Sequence, residues 1–182
     1  DDGNKVKGYA IYNLYQDDKD KNLSHLVTDY PLDFFWGVSS LKAGILIPNR
    51  ELQVRLVQAI TSADNQRLHN PKYSMLSNPH TSQFQNCNEH TLDIINSAIY
   101  QTTDITRLKT NAKRYFKPQR IHISGLKLAL GRLFMEGVHT SDHQDKIYTT
   151  TFSSMARYLN DNQLLEQAII YQDNDQITPL VL

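Results

Sequence analysis

The chain has 182 residues, of which 40% are hydrophobic and 21% charged, and its formal net charge is zero. This length suits one domain with a real core, and the composition is that of a globular protein rather than a disordered one. The sequence has no basic run to attract nucleic acid and no apolar run long enough for a transmembrane helix, and its single cysteine excludes an internal disulfide and a multi-cysteine zinc site.

The first part of the chain is predicted to be rich in strands. The predicted elements are a turn at residues 1–5, strands at 6–15 and 25–28, an aromatic turn or short helix at 31–37, a strand at 41–47, and a helix at 50–63 that is capped by Asn49. On this helix, Leu52, Leu56, Val57 and Ile60 are expected to face the core.

The beginning of the chain suggests a hairpin. Gly3 and Asn4 form a turn signal directly before the strand at 6–15. The chain begins at Asp1 and not at a methionine. A cleaved export signal, a trimmed chain or a missing upstream segment would each explain this beginning. We therefore expect the first strand of the hairpin to lie upstream of Asp1.

The second part of the chain is predicted to be mostly helical. A long polar loop at 66–82 is followed by helices at 87–100 and 103–116, a strand at 120–123, a helix at 124–135, extended pieces with a polar loop at 138–148, a helix at 151–160 and a final strand at 165–171. Strands that come first and helices that come later are typical of the α+β class. We expect a small antiparallel sheet packed on the helix at 87–100, with additional helices towards the C-terminus.

The single cysteine lies where the polar loop enters a helix. Asn86 is a good N-cap, and Glu89 stands three residues later, where its carboxylate can bond back to the N–H of Asn86 in a capping box. Cys87 is then the first residue of the helix, beside unpaired backbone N–H groups and the positive end of the helix dipole. These surroundings favour a thiolate, so we expect a thiol pKa well below the free value of roughly 8.5.

Other roles for Cys87 remain open. Free cysteine is among the most buried residue types, so Cys87 can instead be a small apolar plug in the core. A zinc site could combine Cys87 with His90 and either His69 or His80, although Cys-x-x-His is only half of a zinc motif. None of the seven histidines has a diagnostic spacing to Cys87. We predict neither a metal nor a cofactor, and we expect Asn86, His90, His69 and Tyr73 to line the site.

Residues 85–90, Gln-Asn-Cys-Asn-Glu-His, resemble the signature that opens the cysteine helix of circularly permuted papain-like proteins. That group includes relatives of lecithin:retinol acyltransferase, permuted NlpC-type amidases and bacterial lipoprotein-processing proteins. Together with residues 31–37 and 69–74, the stretch also resembles a family of uncharacterised bacterial envelope proteins over most of the chain. The resemblance implies one papain-like α+β domain over residues 1–182, periplasmic or secreted, with Cys87 as nucleophile and nearby N–H groups as oxyanion donors.

One feature of the permuted papain-like proteins is missing from this sequence. Their catalytic histidine precedes the cysteine on an early strand, but no histidine stands among residues 9–15. We therefore expect the base on a strand upstream of Asp1. The leading hypothesis is a cysteine hydrolase or acyltransferase that acts on an envelope amide or ester (a peptide, lipoprotein or lipid) through a Cys87 thioester. The alternative is a papain-like domain without catalysis that serves as a binding module.

Overall fold

The computed structural model describes residues 8–122, 136–172 and 176–182, and these ranges contain both helices and antiparallel strands. The strands are β1 (Ile11–Gln16), β2 (Ser24–Asp29), β3 (Lys42–Pro48), β4 (Gln119–Ile121), β5 (Ile147–Thr149), β6 (Leu165–Gln172) and β7 (Gln176–Pro179). The helices are α1 (Pro31–Phe34), α2 (Arg50–Thr61), α3 (Asp64–Leu68), α4 (Cys87–Tyr100), α5 (Ile105–Tyr115) and α6 (Phe152–Asp161). The predicted α+β class is confirmed, while the turn at 1–5 and the helix at 124–135 lie outside the described residues.

The described strands form three small antiparallel sheets. β1 pairs with β2, β4 pairs with β5, and β6 lies between β3 and β7. The predicted strand at 165–171 corresponds to β6, but it is not the final strand. β7 follows it in the chain and pairs with it from Gln172↔Gln176 to Ile169↔Pro179. β7 has only four residues, too few to show a periodic pattern in the sequence.

α4 is the central helix of the described fold. Its residues Leu92, Ile95 and Ala98 pack into a core shared with α2, α5 and α6, and Ile94 packs into a second cluster with residues of α2, α3 and α5. The spacing of Leu92, Ile95 and Ile99 in the sequence, with Ile94 and Ala98 beside them, predicts this buried side, and the structure confirms it. Packing on several sides fixes the position of α4, and with it the position of Cys87 at its first turn.

α2 is capped as predicted but turns a slightly different face inward. The side chain of Asn49 accepts a hydrogen bond from the N–H of Leu52 at 3.0 Å. Leu52 and Ala59 are buried, whereas Val57, which was expected to face the core, is 57% exposed. Val57 lies roughly 140° around the helix from Leu52, which places it outside the buried stripe.

Candidate functional site

The start of α4 is built as the sequence predicts. Asn86 is the N-cap and Cys87 is the first helical residue, and the Asn86 side-chain oxygen accepts a hydrogen bond from the N–H of Glu89 at 2.9 Å. The Asn86 amide donates to the backbone carbonyl of Met75 at 2.9 Å. The predicted capping box is not completed, because the Glu89 carboxylate bonds to Lys109 on α5 instead of reaching back to Asn86.

Gln85, directly before the cap, is a buried polar side chain with its own set of hydrogen bonds. Its oxygen accepts from the N–H of Asn70 at 2.8 Å, and its amide donates to the carbonyl of Leu68 and to the Asp93 carboxylate, each at 3.0 Å. Gln85 thus ties the polar loop to the body of α4. The sequence did not single out this role, because its partners come from two separate places in the chain, residues 68–70 and Asp93.

The thiol of Cys87 reaches solvent, so Cys87 is not a plug in the core. The N–H groups of Asn88 and of Cys87 itself lie close enough to lower the pKa of the thiol, as a helix start should. Desolvation by the surrounding protein is the larger effect, however, and it raises the pKa of the thiol above its ordinary value. The predicted low thiol pKa is therefore wrong, because the helix-dipole argument did not include the water that the thiolate loses.

Tyr73 lies beside Cys87, as expected for a wall of the site. A bridge between Tyr73 and Gln85 holds the polar loop parallel to the residues that lead into α4. The Tyr73 side chain is buried, and burial, followed by the nearby Cys87 thiolate, raises the pKa of the tyrosine. The loop at 66–82 therefore reaches the thiol through Tyr73.

His69 and His90 lie side by side, but each bonds to a group other than the thiol. Their ring centroids are 6.1 Å apart, with the rings nearly perpendicular. Nε2 of His69 lies 3.1 Å from the hydroxyl oxygen of Ser24, and Nε2 of His90 lies 2.9 Å from the side-chain oxygen of Asn65. Burial lowers the pKa of both rings, to about 4 for His90, so both are neutral at pH 7. In this state neither imidazole is placed as a base for Cys87.

Within the described ranges, no imidazole forms a hydrogen bond with the Cys87 sulfur. Downstream of α4, Nε2 of His139 lies 2.8 Å from the Asn22 side-chain oxygen, and Nε2 of His143 lies 2.6 Å from the backbone carbonyl of Leu76. Papain-like chemistry needs an imidazole near the thiol. The expected histidine upstream of the chain stays a prediction.

A buried ion cluster joins the first turns of α4 to α5. Nζ of Lys109 lies 2.6 Å from Oε1 of Glu89 and 2.8 and 2.9 Å from the two carboxylate oxygens of Asp93. All three side chains are buried. Desolvation raises the pKa of Glu89 to about 8 and also raises that of Asp93. For Lys109, desolvation acts to lower the pKa, but the two carboxylates outweigh it and raise the pKa.

The sequence carried a signal for this cluster. Glu89 and Asp93 are four residues apart, so they share one face of a helix that is otherwise largely apolar. Two carboxylates on a buried helix face require a cation from a neighbouring element. The pattern indicates the need for such a partner but does not say that Lys109 supplies it.

An apolar cleft of about 420 Å³ runs along α4 one turn beyond the thiol. Residues of β1, β3, α2 and α6 line it together with His90 and Thr91. The hydroxyl of Thr91 donates to the backbone carbonyl of Cys87 at 2.9 Å, so the end of the cleft lies close to the helix start. The cleft can hold an apolar part of a substrate near the thiol.

The described residues contain no group of three or more His, Cys, Asp and Glu side chains that could hold a metal ion, so the zinc alternative has no support there. None of the helices in the same ranges is long and apolar enough to cross a membrane.

Fold and site together define an α+β protein with an exposed thiol at the capped start of its central helix. The chain belongs to a bacterial family described as "Uncharacterized protein conserved in bacteria (DUF2145)", which matches residues 1–159. The predicted membership in an uncharacterised bacterial family is thus confirmed, while this match does not show the papain-like resemblance. No curated protein and no solved structure matches the chain.

Proposed function

We propose that the protein is a papain-like cysteine hydrolase or acyltransferase of the bacterial cell envelope, which acts on an amide or ester through a thioester on Cys87. One observation carries this proposal: an exposed thiol stands at the first residue of a helix whose start is fixed by the buried side chains of Gln85 and Asn86. Such a rigid first turn holds the thiol in one position, as a functional side chain requires. The resemblance of residues 85–90 to the papain-like signature points to the same chemistry.

The proposed reaction has two steps. The Cys87 sulfur attacks the carbonyl carbon of the substrate, an S–C bond forms, and the C–N or C–O bond breaks as the leaving group takes up the proton released by the thiol. Water or a second nucleophile then attacks the thioester and releases the acyl group. The N–H groups of Cys87 and Asn88 lie within reach of the sulfur and would donate to the oxyanion in both steps.

The pH dependence of this reaction should follow the thiol itself. No described imidazole bonds to Cys87, and desolvation raises the pKa of the thiol, so little thiolate is present at pH 7. We expect a p-nitrophenyl acyl ester to acylate the protein at a rate that increases between about pH 7 and pH 9. Because Cys87 is the only cysteine, the acyl mass that the wild-type protein gains in excess of Cys87→Ser measures the thioester.

Alkylation by iodoacetamide serves as the control for this experiment. It should show the same rise with pH, with a midpoint above the free value of roughly 8.5, because both reactions need the thiolate. A midpoint below that value would contradict the raised thiol pKa. Alkylation of the folded protein without acylation at any pH would contradict the proposed catalysis.

A papain-like binding module without catalysis is the second candidate. The bonds that His69 and His90 make to Ser24 and Asn65 favour it, since these imidazoles are engaged away from the thiol. In a binding module Cys87 would be a surface residue of the site, and Cys87→Ser would leave binding of the envelope partner intact. Turnover of the ester distinguishes the two candidates, because an exposed thiol in a binding module can be acylated once, whereas only an enzyme releases the acyl group and reacts again.

A further inference from the structure

The chain between β2 and β3 exposes a concentrated group of large apolar side chains. We call residues 30–38 the aromatic loop; it contains α1 and the turn that follows it. Leu32 is 84% exposed and Trp36 is 89% exposed, and Tyr30, Phe34 and Val38 are also exposed. Exposure of so many large apolar side chains in one segment of a folded protein marks an interaction surface.

The conformation of the aromatic loop is stabilised by contacts within the loop rather than by burial in the protein core. No residue of α1 is buried. The backbone N–H groups of residues 33 to 36 and of Val38 donate to carbonyls within the loop, between Tyr30 and Phe35. The rings of Phe34 and Phe35 are in edge contact, with their centroids 5.0 Å apart. The exposed side chains are therefore presented on an ordered short helix and turn.

The exposed side chains of the loop point in different directions. Leu32 and Phe34 are two residues apart on α1, which places them on nearly opposite sides of the helix, since each residue turns it by roughly 100°. A flat protein partner would cover one side of such a helix. Apolar side chains on two sides of α1, with Asp33 between them, fit a medium that can contact both sides. The interfacial region of a lipid bilayer is such a medium.

The composition of the loop agrees with a lipid surface. Between residues 30 and 41, Asp33 is the only charged residue. Tryptophan and tyrosine are the residues that favour the level of the lipid headgroups, and Tyr9 is exposed at the same end of the β1–β2 pair as Tyr30, because Ile11 pairs with Asp29. We propose that the aromatic loop docks the protein on a lipid bilayer by inserting Leu32 and Trp36 into the interfacial region.

Trp36 makes the proposal directly testable, because it is the only tryptophan in the chain. We expect its fluorescence to shift to shorter wavelength when phosphatidylcholine vesicles are added, and to be quenched by lipids with brominated acyl chains. Binding should change little with salt, because insertion is driven by apolar burial rather than by charge.

Two variants that keep Trp36 test the site of insertion. Leu32→Asp should lower partitioning onto the vesicles by roughly tenfold or more, because it replaces an inserting leucine with a charge. Val54→Asp changes a residue that is 57% exposed on α2 and should bind like the wild type. Both positions are exposed, so neither change should disturb the fold.

Four results would overturn the proposal. The first is tryptophan emission that does not respond to vesicles. The second is binding that requires added phosphatidylglycerol and is lost in salt, which would indicate adsorption by charge. The third is an emission shift that depends on protein concentration without lipid, which would assign the loop to a contact with a second copy. The fourth is equal weakening by Leu32→Asp and Val54→Asp. Cys87 takes no part in this experiment, so its outcome is independent of the proposed function.

Discussion

Replacing Lys109 with methionine should lower the free energy of unfolding by about 3–5 kcal/mol. Lys109 bonds to Glu89 and to both carboxylate oxygens of Asp93, and all three side chains are buried. Methionine fills much of the same volume but leaves the Asp93 carboxylate without a cation in a site that water does not reach. Urea unfolding followed by circular dichroism measures the loss.

Two further variants make this result specific to the buried cluster. Lys113→Met removes an exposed lysine from the same helix and should change the free energy of unfolding by less than about 0.5 kcal/mol. Adding Asp93→Asn to Lys109→Met should recover part of the loss, because the uncompensated charge is gone. A loss below about 1 kcal/mol for Lys109→Met would mean that the cluster is hydrated and does not hold α4 to α5.

Local sequence patterns were sufficient to predict the elements that frame the site. Asn49 and Asn86 cap their helices because a cap depends on residues within one turn. The spacing of Leu92 and Ile95 predicted the buried side of α4, because helical periodicity also depends only on nearby residues. These features are local, and tertiary packing did not override them.

The parts of the site that depend on long-range contacts could not be predicted. Glu89 satisfied the local rule for a capping box, but a lysine twenty residues later along the chain offered its carboxylate a charged partner. Likewise, the helix dipole at Cys87 was visible in the sequence, while the desolvation that raises the pKa of its thiol comes from the surrounding fold. In both cases burial decided the outcome, and burial is a property of the whole fold.

The protonation of Glu89 should make the free energy of unfolding decrease as pH rises from about 6.5 to about 8. Desolvation raises the pKa of Glu89 to about 8, whereas the carboxyl ionises near its ordinary value of 4.5 when the chain unfolds. The folded state therefore binds more protons in this range, and stability falls with pH by up to about 1.4 kcal/mol per unit. Below pH 6.5 the buried histidines act in the opposite direction, because burial lowers the pKa of His90 to about 4.

The hydrogen bonds indicate which carboxyl group keeps the proton. Asp93 receives two contacts from Lys109 and one from Gln85. Glu89 receives one contact from Lys109, and its second oxygen, Oε2, makes no hydrogen bond of normal length, although the Ser77 hydroxyl lies nearby. A protonated Glu89 leaves a buried pair of one cation and one anion, with no net charge to desolvate. The neutral amide of glutamine is close in shape to this protonated carboxyl group.

Glu89→Gln should therefore remove the decrease in stability between about pH 6.5 and pH 8. As the pH rises across this range, the variant should become increasingly more stable than the wild type. Urea unfolding of both proteins at several pH values measures the difference in unfolding free energy. Glu51→Gln, which removes an exposed carboxylate from α2, is the control and should give a difference that does not change with pH. A constant or shrinking difference for Glu89→Gln would mean that Glu89 is ionised in the folded protein, and that Lys109 balances two buried carboxylates beneath the start of α4.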